Sequence, residues 1–218
     1  MGVSMIYDIS PPITPLLRVF PGDTPPSRKV LLDMSRGDPL TLSTWTSTVH
    51  VGAHADAPSH YGLDGSTIEQ QPLELYCGPC RVIHVAAERG QLITIEMLPA
   101  EIDTERLIIA TGTYPDPTNW NDDFAALCPK LVDHFAARGV RLVGVDTPSV
   151  DPADSKDLPA HHRFLANDMA IIEGLVLSDV PAGEYELIAL PLRLSGFDAS
   201  PVRAVLRTCK ANPSSGNS

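Results

Sequence analysis

Leu107-Ile108-Ile109-Ala110, then Pro129-Lys130-Leu131-Val132-Asp133-His134-Phe135-Ala136-Ala137, then Val140-Arg141-Leu142-Val143-Gly144-Val145, set the fold class. Both outer stretches are short and apolar, as strands buried on two faces are. Between them Pro129 suits a first helical position, Leu131, Val132, Phe135 and Ala136 recur on one face, and Gly139 stands at the exit. Strand, helix, strand in that order predicts a parallel crossover. It places Asp146-Thr147-Pro148 at a carboxyl end, where open α/β sheets bind ligands. Further strands are expected at Leu40 to Val51, Arg81 to Val85, Ala170 to Leu177, Tyr185 to Leu192 and Val202 to Leu206, with a second helix from near Pro159 that includes His161. The 21 prolines punctuate the chain so often that long helices are not expected, and the reading is a sheet-rich α/β protein.

The 218 residues, 43% of them hydrophobic, supply one sizeable core and leave little room for a second. A single domain over 1–218 is therefore expected, ending in a disordered tail at 209–218. The net charge of −11, with no basic stripe, argues against nucleic acid as a partner. No apolar run approaches the ~18 residues that span a bilayer, and Met1 to Asp8 lacks a basic region followed by an apolar stretch. A cytoplasmic protein without a membrane partner is expected. In that setting the 4 cysteines remain thiols and form no structural disulfide.

The chemistry gathers in His50-Val51-Gly52-Ala53-His54-Ala55-Asp56-Ala57-Pro58-Ser59-His60. His50, His54, Asp56 and His60 are each an even number of positions from the next, so an extended segment sends all of them to one face. Glycine and alanine between them leave room for a close ligand. Imidazole suits zinc and other first-row ions, and a carboxylate holds one metal or bridges two, so this face reads as half of a metal site for zinc or manganese. The competing reading is ordinary surface histidines on a polar strand or a capped turn at Pro58. Further ligands are sought among His84, His134, His161 and His162, and at Glu173. That glutamate sits in the apolar run Ala170 to Leu177, where burial is costly unless the charge is paired or metal-bound; otherwise it faces solvent from an edge strand.

Cys77-Gly78-Pro79-Cys80 has the spacing of a thioredoxin-type redox site. Such a site needs its first cysteine at a helix N-terminus. Here Arg81-Val82-Ile83-His84-Val85 follows and reads as a strand, which favours a turn.

The pattern His50-x-Gly52-x-His54-x-Asp56-x-Pro58-x-His60, with a distal histidine and a glutamate twelve residues after it, resembles the metal-dependent cyclase-type amidohydrolases. Within them the bacterial kynurenine formamidases, or arylformamidases, are the most similar branch. That likeness rests on Phe20-Pro21-Gly22-Asp23-Thr24-Pro25, Asp151-Pro152 with Asp154-Ser155-Lys156, Ile172-Glu173-Gly174-Leu175 and Ser200-Pro201-Val202-Arg203-Ala204, and spans about residues 5 to 207. Ala53 stands where that core usually carries threonine.

The resemblance implies a sheet-rich, swivelling β/β/α-type single domain with few helices. It implies two Zn2+ per subunit, with Mn2+ as the other fitting ion: His50 and His54 on one metal, His161 on the other, Asp56 and Glu173 contacting both. His161 is chosen over His162 by the interval to Glu173. The resemblance further implies His60 as catalytic acid/base, Phe20 against the substrate's ring, and a homodimer. The implied reaction is hydrolysis of N-formyl-L-kynurenine to L-kynurenine and formate, a step of tryptophan degradation by the kynurenine route. The alternatives are a sister hydrolase that opens a cyclic amide such as isatin, and a metal-binding or redox module without hydrolase activity.

Overall fold

The computed structural model describes residues 4–99 and 101–209. The expected tail lies outside the described residues except for Cys209. In chain order the strands are β1 (Ile6–Asp8), β2 (Ser27–Leu32), β3 (Leu42–Thr46), β4 (His54–Asp56), β5 (Cys77–His84), β6 (Leu92–Ile93), β7 (Arg106–Ala110) and β8 (Ala126–Leu127), followed by β9 (Leu142–Val145), β10 (Ala170–Glu173), β11 (Gly183–Ile188), β12 (Ala199–Pro201) and β13 (Val205–Thr208). Helix α1 is Pro129–Ala137 and α2 is Pro159–Ala166.

A nine-stranded sheet dominates, in the order β1-β13-β11-β5-β7-β9-β10-β4-β12. Its centre, β5-β7-β9-β10, is parallel, and antiparallel strands flank it on both sides. The expected crossover is present: β7, α1 and β9 form a parallel unit in which Leu107 lies opposite Val143 and Ile109 opposite Val145. Alternation along these strands divides the core. Ile83, Leu107, Ile109, Val143 and Ile171 meet Leu131 and Phe135 of α1 and Phe164 of α2 on one face. Val82, Ile108, Leu142, Ile172 and Leu206 pack on the other, with Ala55, Tyr76 and Leu187. Every residue of β7 is buried, which explains the apolar run Leu107 to Ala110, and the buried Arg106 at its start donates to the Leu75 carbonyl.

Several expected strands are shorter or interrupted. Leu40 to Val51 yields only β3, because the chain bends before the histidine-rich stretch at 50–60 and Gly52 turns it in the left-handed region at φ +59. Ala170 to Leu177 stops at Glu173, since Gly174 has φ +68. Of Val202 to Leu206 only the last two residues are strand, since β13 starts at Val205. Tyr185 to Leu192 ends at Ile188. β2 and β3 stand apart as a hairpin that pairs only with itself, and its side chains are almost all exposed.

Candidate metal centre

The period-two argument needed one extended strand from His50 to His60, and the structure corrects it. Only His54–Asp56 is a strand, His50 precedes the Gly52 turn, and His60 ends a short 3-10 turn, Pro58–His60. The side chains nonetheless converge, because the two bends replace the straight segment. Gly174 fixes this meeting point: a Cβ built there would lie 2.2 Å from the Gly52 carbonyl oxygen, so only glycine lets the two chain segments touch. β4 pairs with β10 so that His54 lies opposite Glu173 and Asp56 opposite Ile171. Glu173 thus sits on an inner strand, 3% exposed, and the edge-strand alternative falls.

His161 comes from α2, and Asp151 aims it. The helix has no side-chain cap of its own, Leu158 standing before it at φ 43. Instead the Asp151 carboxylate accepts from the amides of Ala160 (2.9 Å) and His161 (3.0 Å), and from His161 Nδ1 (2.7 Å). That leaves His161 Nε2 for the site. His54 is aimed in the same way, with Nδ1 donating to the Gly52 carbonyl at 2.9 Å. His162, its neighbour on α2, is exposed and borders a different hollow beside Tyr61 and Lys156.

The four inner groups form a ring. His54 Nε2 lies 3.5 Å from Asp56 Oδ1 and 3.4 Å from Glu173 Oε2. His161 Nε2 lies 3.5 Å from Asp56 Oδ2 and 3.5 Å from Glu173 Oε1. These separations exceed good hydrogen bonds. They match donors sharing an ion, since ligands ~2.0–2.2 Å from one tetrahedral metal sit about 3.3–3.6 Å apart. His54 Nε2 and both Asp56 oxygens are buried without any hydrogen-bond partner, a costly arrangement for a protein alone. The chemistry of the donor set and these orphaned atoms fit a divalent cation. His50 adds Nδ1, 3.1 Å from Asp56 Oδ1.

Electrostatics agree. Among the described residues, the only ion-pair partners of Asp56, Asp151, Glu173 and Asp198 are histidines. Burial works against a charged His50 and a charged His161, but carboxylates outweigh it and raise both to about 10: Asp198 and Asp56 around His50, Asp151 and Asp56 around His161. Burial likewise opposes ionisation of Asp56, and the His161 and His50 rings beside it overcome that and hold the acid well below its usual range. The pocket demands positive charge, as protons or as metal.

Sequence reasoning missed two carboxylates. Asp151 carries no marker in the sequence beyond its place beside Pro152. Asp198 was not singled out, yet its Oδ2 lies 3.0 Å from His50 Nε2 and 3.3 Å from His60 Nδ1. The His50 hydrogen bond, above all, lowers its pKa. His50, His60 and Asp198 form one compact group of possible ligands, and Asp56, His60 and His161 another, so His60 stands at the centre's edge. His84 borders the same cavity and donates from Nε2 to the Val180 carbonyl at 2.8 Å, while His134 rides on α1 away from it. Asp146 reaches the cavity as its strand-end position predicted, but Thr111 and Gly112 occupy both its oxygens, making it a structural pin. Cys77 and Cys80 lie on β5, not at a helix start, and burial pushes the Cys80 thiol up to about 12, which removes the basis of the redox reading.

Above the centre opens a cavity of about 830 Å³. Phe20 lies on its wall, edge-on to Trp120 at 5.0 Å between ring centroids, and Tyr114 stands behind Trp120 at 5.9 Å. Trp120 is not among the expected site residues; a tryptophan set between Asn119 and Asn121 in a polar segment is the signal the sequence carries.

Residues 7–152 match the family model described as "Putative cyclase". Among solved structures, the chain is similar to a "potential metal-dependent hydrolase with cyclase activity" at 27% identity and a TM-score of 0.82, over 95% of this chain and 100% of that one. It is similar to a "predicted metal-dependent hydrolase" from Bacillus stearothermophilus at 26% identity and a TM-score of 0.79, over 94% and 99% of the two chains. Isatin hydrolase A from Labrenzia aggregata shares the fold at 21% identity and a TM-score of 0.80, over 95% of this chain and 94% of that one.

Proposed function

The chain belongs to the cyclase family, and from that membership we propose that it is a metal-dependent hydrolase of N-formyl-L-kynurenine, releasing L-kynurenine and formate. The observation that carries the reading is the ring of His54, Asp56, His161 and Glu173, with its orphaned buried atoms, at an aromatic-walled cavity. We assign His50, His54, Asp56, His161 and Glu173 as ligands of two Zn2+, which Mn2+ can replace. Ions held there supply hydroxide at neutral pH and polarise a bound carbonyl.

The protein's own groups do the rest. Phe20 and Trp120 offer ring edges and faces to an aryl formamide. His60 donates from Nδ1 to Asp198, which fixes the ring and leaves Nε2 to carry the proton that the departing aryl amine needs. An imidazole suits that task at neutral pH. We also propose a homodimer joined through the β2–β3 hairpin. Leu31, Leu42 and Trp45 are 46%, 47% and 48% exposed on it, and a lone two-stranded hairpin is marginal in water unless something covers it. A second copy supplies the same arm, as a closed two-fold pair requires.

The test is the initial rate of N-formyl-L-kynurenine hydrolysis after chelation and after restoring zinc or manganese, with isatin run in parallel. Activity that vanishes and returns with metal supports the reading. A metal-loaded protein that opens isatin and leaves the formamide intact overturns the substrate in favour of the cyclic amide.

A further inference from the structure

Away from the metal ligands, the cavity wall is made by two loops, Leu17 to Asp23 and Tyr114 to Trp120, fastened to each other. The Arg18 amide donates to the Pro117 carbonyl at 2.9 Å, and Arg18 Nε donates to the Thr118 carbonyl at 3.2 Å. The Phe20–Trp120 contact closes the same seam. Among the residues lining the cavity, Arg18 is the one arginine or lysine. Its Nε clamp holds the guanidinium in place, while neither Nη has a hydrogen bond among the described residues and no carboxylate there comes within ion-pair distance. Asp23 shares the wall without pairing with it.

A guanidinium that is fixed at Nε and free at both Nη atoms presents two parallel donors, the arrangement that takes a carboxylate by a fork. The other charged side chains of the lining are acids and the histidines of the metal centre and its rim. An anionic arm of a bound molecule therefore has Arg18 as its protein partner, next to the aromatic pair that would hold a ring. We propose that Arg18 determines specificity by binding a carboxylate carried on a side arm of the aryl formamide, so that the enzyme selects aromatic amino-acid formamides over bare N-formylanilides. This rests on the formamide-hydrolase reading of the metal centre.

The experiment compares kcat/KM for N-formyl-L-kynurenine and for 2-formamidoacetophenone, which lacks the amino-acid arm, in metal-loaded wild type, Arg18→Met and Arg18→Lys. Arg18→Met is expected to cut the wild-type preference for the first substrate by about 10- to 100-fold, chiefly through KM, since a charge-assisted hydrogen bond is lost. Arg18→Lys should restore part of it. An unchanged ratio overturns the proposal. Calorimetric binding of L-kynurenine against 2-aminoacetophenone separates the two readings: if no formamide is cleaved, the reaction falls, yet a tenfold or larger loss confined to L-kynurenine in Arg18→Met still upholds the Arg18 site. Equal affinities in wild type and variant overturn that site alone.

Discussion

Asp151 does not line the cavity above the centre, yet it decides how His161 points, because one carboxylate accepts from two helix amides and from the ring. In Asp151→Asn an amide group must present its NH2 where an oxygen accepted, so the ring loses its tautomer and its anchor. Metal affinity is expected to fall about 10- to 100-fold, as losses of such outer partners do, with far-UV circular dichroism preserved. A chelator-competition titration measures it, and unchanged affinity would remove His161 from the ligand set. His60→Ala should behave oppositely, keeping bound metal while kcat drops by about 10²- to 10⁴-fold; metal content and turnover on the same sample tell the two apart. The residues themselves announced this division unevenly. His50, His54, Asp56 and His60 were legible as a dense run of histidine and aspartate, although two bends and not the straight strand assumed from their even spacing bring them together, and Glu173 was legible through the apolar run around it. Asp151 and Asp198 were not, because 27 acidic residues offer no spacing that marks which two will meet a histidine after folding.

At the scale of elements, β7 and β9 were legible because burial on both faces writes short apolar runs, and α1 because Pro129 opens it, one face is apolar and Gly139 follows its end. β1, β4, β6 and β8 were not: each is only two or three residues long, and their pairing comes from distant chain segments and not from local pattern. The ends of β10 and β4 were set by tertiary contact, with Gly174 against Gly52. Gly174→Ala puts an L side chain at φ +68 and a methyl onto a carbonyl oxygen, so a loss of about 2–4 kcal/mol is expected from backbone strain plus overpacking. Urea unfolding of the metal-loaded protein checks it. A loss below about 1 kcal/mol would show that the two segments can part without cost. The β2–β3 hairpin makes the complementary case, an element with no core beneath it. Replacing Leu42 and Trp45 together by serine is expected to halve the mass measured by light scattering without lowering the stability of the remaining sheet. A variant that keeps the parent mass places any dimer contact elsewhere.

Over the whole molecule, the candidate ligands lie far apart in sequence, at His50 to Asp56, His161 and Glu173, and the carboxylate that holds two of the histidines comes later still, at Asp198. Closing them around one centre ties β4, β10 and α2 together, near the end of the sheet where the strands are shortest. Without a cation, buried carboxylates face one another in a protein already carrying −11, and only protons on His50 and His161 relieve them. Ion binding to the folded state alone stabilises by about 2.7 kcal/mol at a hundredfold excess over Kd. For a domain of this size each kcal/mol moves Tm by about 2–4 °C. Chelation should therefore lower Tm by about 5–10 °C, and zinc or manganese should restore it. Sodium chloride at matched ionic strength should not, since screening acts weakly on buried charges. Superimposable melting curves with and without the divalent ion would mean that the ring closes on itself with protons alone, and the metal-dependent reading of this centre would fall with them.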